Sequence, residues 1–157
     1  MTKGVYTTTG EWHFRMTGSN QMHLVLYDGS GYRACIINET LSTNQWYHFA
    51  FTYDGRGGTS ANDGIIGYIN GNLATLNRVG GGSYTAMTNS TASLYIAKNG
   101  SNYSHGKIDE VSIFNTVLTA DQIKFDIYEA SATANKSADF INNPNLPDPV
   151  AWYRMGD

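Results

Sequence analysis

Trp46-Tyr47-His48-Phe49-Ala50-Phe51-Thr52-Tyr53-Asp54 alternates bulky aromatic residues with smaller ones. Successive side chains of an extended chain point to opposite faces, so Tyr47, Phe49, Phe51 and Tyr53 share one face and Trp46, His48, Ala50 and Thr52 the other. Aromatic residues at every second position mark a strand packed between two sheets. The second face is small and half-polar, which predicts a sheet whose outer side is open to water or to a ligand.

Working outward, short apolar runs between turn signals predict strands near 11–16, 23–28, 32–38, 46–54, 64–70, 72–79, 93–98 and 107–114. Asn70-Gly71 supplies the two positive-φ residues of a type I′ turn, so 64–77 is read as a hairpin. Asp28-Gly29-Ser30-Gly31 joins two further strands and Asn99-Gly100 ends another. The reading is an all-β, antiparallel two-sheet jelly-roll sandwich with one short C-terminal helix. That helix starts at the capping box Thr119-Ala120-Asp121-Gln122, with Leu118 stapled on Ile123, and runs to about Glu129. Ala120, Ile123 and Ile127 form its apolar stripe.

Three pieces carry a resemblance to a known family: Trp46 to Gly55, Tyr68-Ile69-Asn70-Gly71-Asn72-Leu73, and Gly106-Lys107-Ile108-Asp109-Glu110-Val111-Ser112-Ile113-Phe114-Asn115. In that order and spacing, over roughly residues 12–129, the chain resembles the laminin-G-like branch of the concanavalin A-like lectin and glucanase superfamily. The resemblance implies a jelly roll used mostly for binding. Residues 1–130 are assigned to this sandwich, and 131–149, which hold all three prolines, to a linker.

Val150-Ala151-Trp152-Tyr153-Arg154-Met155-Gly156-Asp157 looks like the opening strand of such a module rather than its close. Either 150–157 begins a further module of a tandem array, the preferred reading, or the terminal strand folds back into the first-strand position, as in a circular permutation.

Composition narrows the function. The 157 residues include 41% hydrophobic and 13% aromatic, enough for one core without disulfides. The single cysteine, Cys35, lies in an apolar run and is read as an inert buried thiol. Ten basic against thirteen acidic residues give a net charge of -3 with no Lys/Arg run, which argues against nucleic acid. No stretch approaches the roughly 20 apolar residues of a membrane span, and the N-terminus lacks a signal-peptide core.

A retaining glucanase needs two carboxylates about 5 Å apart. In the alternating acid pattern of laminarinase-type members, Lys107 and Ser112 stand where glutamates are required, and adjacent Asp109 and Glu110 would point to opposite faces of a strand. Ser104, His105 and Asp109 are too close in sequence for a triad, and His13, His23 and His48 lack zinc-ligand spacing.

Ca2+ is the cofactor the resemblance implies, with Asp54, Asn62, Asp63 and Asp109 as the candidate ligands, although Asp and Asn equally form ordinary turns. An aromatic platform with amide partners would suit a glycan, and Trp12, Tyr32, Tyr84, Tyr95 and Tyr103 with Asn99 and Asn102 are the candidates, each also a plausible packing residue. The expectation is a noncatalytic recognition or adhesion module for a glycan or protein surface. Its setting would be a larger surface or virion protein, with tandem modules or homo-oligomers, and a phage structural protein is the favoured source. A purely structural decoration or spacer domain is the alternative, and a β-glucan hydrolase ranks third.

Overall fold

The structure is a computed structural model that describes residues 1–5, 10–131 and 138–155. Residues 132–137 of the expected linker and 156–157 of the expected terminal strand lie outside the described residues. In chain order the strands are β1 (Thr2–Lys3), β2 (Trp12–Met16), β3 (Met22–Tyr27), β4 (Gly31–Ile37), β5 (Phe49–Tyr53), β6 (Ile65–Ile69) and β7 (Asn72–Leu73). They continue with β8 (Leu76–Gly82), β9 (Leu94–Tyr95), β10 (Lys98–Asn99), β11 (Asn102–Tyr103), β12 (Val111–Ile113) and β13 (Ala151–Tyr153). Antiparallel pairing builds a six-stranded sheet, β8-β4-β3-β2-β1-β9, a three-stranded sheet, β5-β6-β7, and two ribbons, β10-β11 and β12-β13. This is the expected all-β antiparallel sandwich with one helix.

The two larger sheets face each other through the aromatic side of β5. Leu24, Leu26 and Cys35 from the six-stranded sheet meet Ile65, Phe51 and Tyr53 from the three-stranded one. Phe14 and Phe51 close the layer edge to face, with centroids 5.4 Å apart at 81°. Each large side chain buried here contributes about 1.5–3 kcal/mol. Cys35 is fully buried and its thiol is pushed up to about 11 by burial, which keeps it protonated and inert.

The Asn70-Gly71 turn forms as read, with φ of 49° and 73°. The return strand does not stay in its hairpin. Asn72–Leu73 pairs with β6, and the chain then crosses so that Leu76–Gly82 pairs with β4 in the opposite sheet. Leu76 explains the crossing: a Cβ at Gly67 would stand 2.8 Å from its Cδ2 and 2.9 Å from the Phe51 ring, so the leucine occupies the space a side chain would fill. The expected hairpin 64–77 therefore ends at Leu73.

The outer face of the three-stranded sheet, expected to be open, is covered. Thr119 starts the helix with a reciprocal capping box: its Oγ1 accepts from Gln122 N at 3.2 Å while Gln122 Oε1 accepts from Thr119 N at 2.9 Å. The helical stretch spans 120–131 and is π-wound over Gln122–Glu129. Leu118, Ile123 and Ile127 pack on Tyr68 and Ala50 of the sheet; Ala120, assigned to the apolar stripe, is exposed instead. Ala138, Phe140 and Leu146 are buried in the same cluster, so this part of the expected linker is a packed arm. Proline and asparagine content concealed three widely spaced apolar anchors.

The terminal segment is not set apart from the domain. Ala151–Tyr153 pairs antiparallel with Val111–Ile113 of the same chain. The strand expected over 107–114 begins only at Val111; Glu110, just before it, takes a left-handed conformation, φ 50°. Asp109 and Glu110 both turn to the terminal segment. Asp109 Oδ1 accepts from Met155 N at 3.2 Å and Glu110 Oε2 accepts from Trp152 Nε1 at 2.7 Å.

Candidate functional site

With the helix and arm covering one sheet, the outer face of the six-stranded sheet presents the other broad surface. Strand register builds it in rows. Arg15 pairs with His23; His13 pairs with Val25, which pairs with Ala34, which pairs with Val79; Tyr27 pairs with Tyr32, which pairs with Gly81. The result is a hollow of about 160 Å³ with an apolar floor of Val25, Ala34 and Val79, edged by Tyr27, Tyr32, His23 and Arg15.

Two contacts shape the aromatic side. Tyr27 and Tyr32 rings lie 6.3 Å apart, and the Tyr32 ring crosses Gly81 so closely that a Cβ there would meet its Cε1 at 2.8 Å. His13, fully buried, packs under Tyr27 at 5.0 Å. Burial, reinforced by Arg15 and the N-terminal ammonium, lowers the His13 imidazole to about 4. Burial and Arg15 lower His23 as well. The hollow thus sets the Arg15 guanidinium and the His23 imidazole over an apolar base.

Glu11 is buried and its carboxylate accepts from Ser90 N at 2.6 Å, Ser90 Oγ at 2.7 Å and Lys3 Nζ at 3.3 Å. Burial alone would raise its pKa, but these donors outweigh it and the net shift is downward. Glu11 anchors residues 90–92 to the sheet. Thr88 N likewise donates to Tyr27 O at 3.1 Å.

The residues selected from sequence are dispersed. Tyr32 lies in the hollow. Trp12 packs half-buried against the sandwich core, and Tyr84 is 3% exposed inside it, its phenol pushed up chiefly by burial. Asn99, Asn102 and Tyr103 come together on the β10-β11 ribbon, where Lys98 Nζ lies 5.3 Å from the Tyr95 ring and 5.5 Å from the Tyr103 ring. Tyr103 is 67% exposed there. Arg15, His23 and Tyr27 were missed: their alternation was readable, but nothing in one strand told which face its neighbours would leave open.

The four candidate calcium ligands do not converge. Asp54 Oδ2 is 2.6 Å from Arg56 Nη2, and Asp63 Oδ1 is 3.6 Å from Arg78 Nε. Asn62 donates its amide to Val79 O at 3.2 Å, and Asp109 serves the terminal segment. Among the described residues no three of His, Cys, Asp or Glu form a metal-holding group. Arginines already neutralise the two loop acids, so this donor set does not fit a calcium ion.

A laminin-G family model described as the concanavalin A-like lectin/glucanases superfamily matches residues 2–124. No curated protein and no solved structure matches the chain significantly. The matched span holds both sheets, the outer hollow and the Asp109-Glu110 turn, and the chain belongs to the concanavalin A-like lectin/glucanase superfamily.

Proposed function

We propose that this domain is a noncatalytic recognition module that takes a glycan or a protein surface on the outer face of its six-stranded sheet. The observation that carries the reading is the hollow itself: an apolar floor of Val25, Ala34 and Val79 between two tyrosines, with Arg15 and His23 as polar partners. Tyrosine offers an apolar face and a polar tip at low entropic cost, as a sugar ring or an interface side chain requires. The lining carries no carboxylate, whereas retaining hydrolysis needs two. Asp109 and Glu110, the superfamily-like acids, hold the terminal segment instead. The polar, weakly charged surface suits a larger surface or virion protein.

A glycan array probed with the full chain, with and without EDTA, tests sugar recognition and calcium dependence together. Binding abolished by Tyr32→Ala in a folded variant supports the sheet-face reading; binding unchanged by that variant removes it. Exposed Phe125, Ile141 and Val150 on the helix and arm favour a second reading, a structural decoration or spacer domain seated within an assembly. Silence in both arms of the array, with self-association in solution, selects that reading.

A further inference from the structure

Arg33 is 7% exposed; its guanidinium donates to main-chain carbonyls and lies 5.9 Å from the Tyr84 ring centroid. Nε donates to Thr59 O at 3.0 Å, and Nη1 to Tyr32 O at 2.7 Å and Gly81 O at 3.3 Å. Among the described residues no Asp or Glu lies within ion-pair distance of it. Asp28 feels its charge but gives its oxygens to the amides of Ser30, Gly31 and Thr85. Carbonyl dipoles take up the donors without cancelling the charge, which is met only by the Tyr84 π face and the field of Asp28.

The fold makes room for this cation. At Gly80 a Cβ would lie 2.8 Å from Arg33 Cδ and 3.0 Å from Nη1, so the position admits no side chain while the arginine keeps its place. Glycine weakens a strand interior, and Gly80-Gly81-Gly82 fall in succession on edge strand β8. The run is thus tied to Arg33 and to the Tyr32 ring over Gly81.

Between this edge and residues 59–62 lies an open hollow of about 300 Å³, lined by Arg33, Arg78, Thr59, Asn62 and the three glycines, with no carboxylate among its lining residues. Arg78, two residues before Gly80 on the same strand, donates through Nε to Asn62 O at 3.0 Å and through Nη2 to Ile65 O at 3.3 Å. Asp63, 3.6 Å from Arg78, pairs with one of the two guanidiniums, while among the described residues no carboxylate stands at ion-pair distance from the other. We propose that the hollow bounded by Arg33, Arg78 and the Gly80–Gly82 edge binds an oxyanion: a free sulfate or phosphate, or the carboxylate of an acidic sugar. With Nε and Nη1 of Arg33 and Nε and Nη2 of Arg78 given to carbonyls, Arg33 Nη2 and Arg78 Nη1 are the nitrogens left to donate charge-assisted hydrogen bonds to such a group, and bare glycine backbone permits close approach. This site adjoins the tyrosine hollow through Val79 and the Tyr32–Gly81 contact but draws its charge from different residues, Arg33 and Arg78.

The test is titration of the full chain with sulfate, phosphate and glucuronate at constant ionic strength set by chloride, read from the Gly80–Gly82 amides in proton–nitrogen correlation spectra. Saturable shifts at these amides are expected, and Arg78→Gln, at a partly exposed position, should weaken them by about tenfold or more without unfolding the domain. Saturation by glucuronate alone assigns an acidic sugar, and saturation by the inorganic ions alone assigns a free anion; each supports the site. Absence of saturable shifts with all three ligands overturns it. So does equal affinity in Arg78→Gln and in Arg33→Lys, the variant that keeps charge but loses the fork.

Discussion

Trp152 Nε1 donates to Glu110 Oε2 at 2.7 Å, and this bond couples the terminal strand to the turn that precedes β12. The same indole packs tilted against Phe140 at 4.8 Å and lies under the Arg154 guanidinium at 5.0 Å. Trp152→Phe keeps most of the packing but leaves a part-buried carboxylate without its donor. It should destabilise the domain by about 1–3 kcal/mol in urea unfolding. Adding Glu110→Gln should recover part of that loss; strict additivity of the two changes would show that the bond contributes nothing.

Phe140 is 2% exposed and contacts both Phe114 and Trp152. Phe140→Ala should lower unfolding stability by about 3–5 kcal/mol, the range for emptying an aromatic site in a core. A residue in a true linker would change it by less than about 0.5 kcal/mol, as surface substitutions do. Denaturant midpoints separate the two outcomes.

Gly71 sits at φ 73°, and a Cβ there would stand 2.8 Å from the Tyr128 ring. Gly71→Ala therefore combines left-handed strain with a clash against the helix, and a loss of about 2–3 kcal/mol is expected. Asn70→Gly, which retains the turn but loses the Asn70 Oδ1 bond to His48 N at 3.0 Å, should cost about 1 kcal/mol. Thermal unfolding of the pair ranks these effects.

His13 and His48 both protonate at about 4 in the fold, each mainly because burial disfavours the charged ring. His48 packs tilted against Tyr128 with centroids 5.7 Å apart. Unfolded imidazoles protonate near 6.5, so between about 6.5 and about 4 the unfolded chain binds more protons. Stability is full above that window and falls as pH drops through it, by at most about 3 kcal/mol per histidine. Lowered carboxylates such as Glu11 and Asp28 extend the loss further into acid. Urea midpoints at about pH 7.5 and about pH 4.5 should differ, and His48→Phe should flatten the slope.

Much of the fold was legible because local rules sufficed. Alternation placed Phe49, Phe51 and Tyr53 toward the core, Asn-Gly set one reversal, and the Thr119–Gln122 box started the helix. What failed depended on distant partners. Leu76 leaves its hairpin because Gly67 and Phe51 offer it space across the sandwich. Ala50 and His48 look half-polar in sequence but are covered by the helix and arm. For the site, Tyr32 was identifiable, while Trp12 and Tyr84 were spent on packing, since an aromatic residue reads alike as platform or core. Arg33 gave no signal, because only the sheet register puts it over Gly80.

The crossover between Leu73 and Leu76 makes one continuous stretch of backbone an edge strand of both layers. Separation of the layers would have to tear that shared stretch from one ladder or the other. Melting should accordingly run as a single cooperative transition, and slow hydrogen exchange should extend across both sheets with closely similar opening energies.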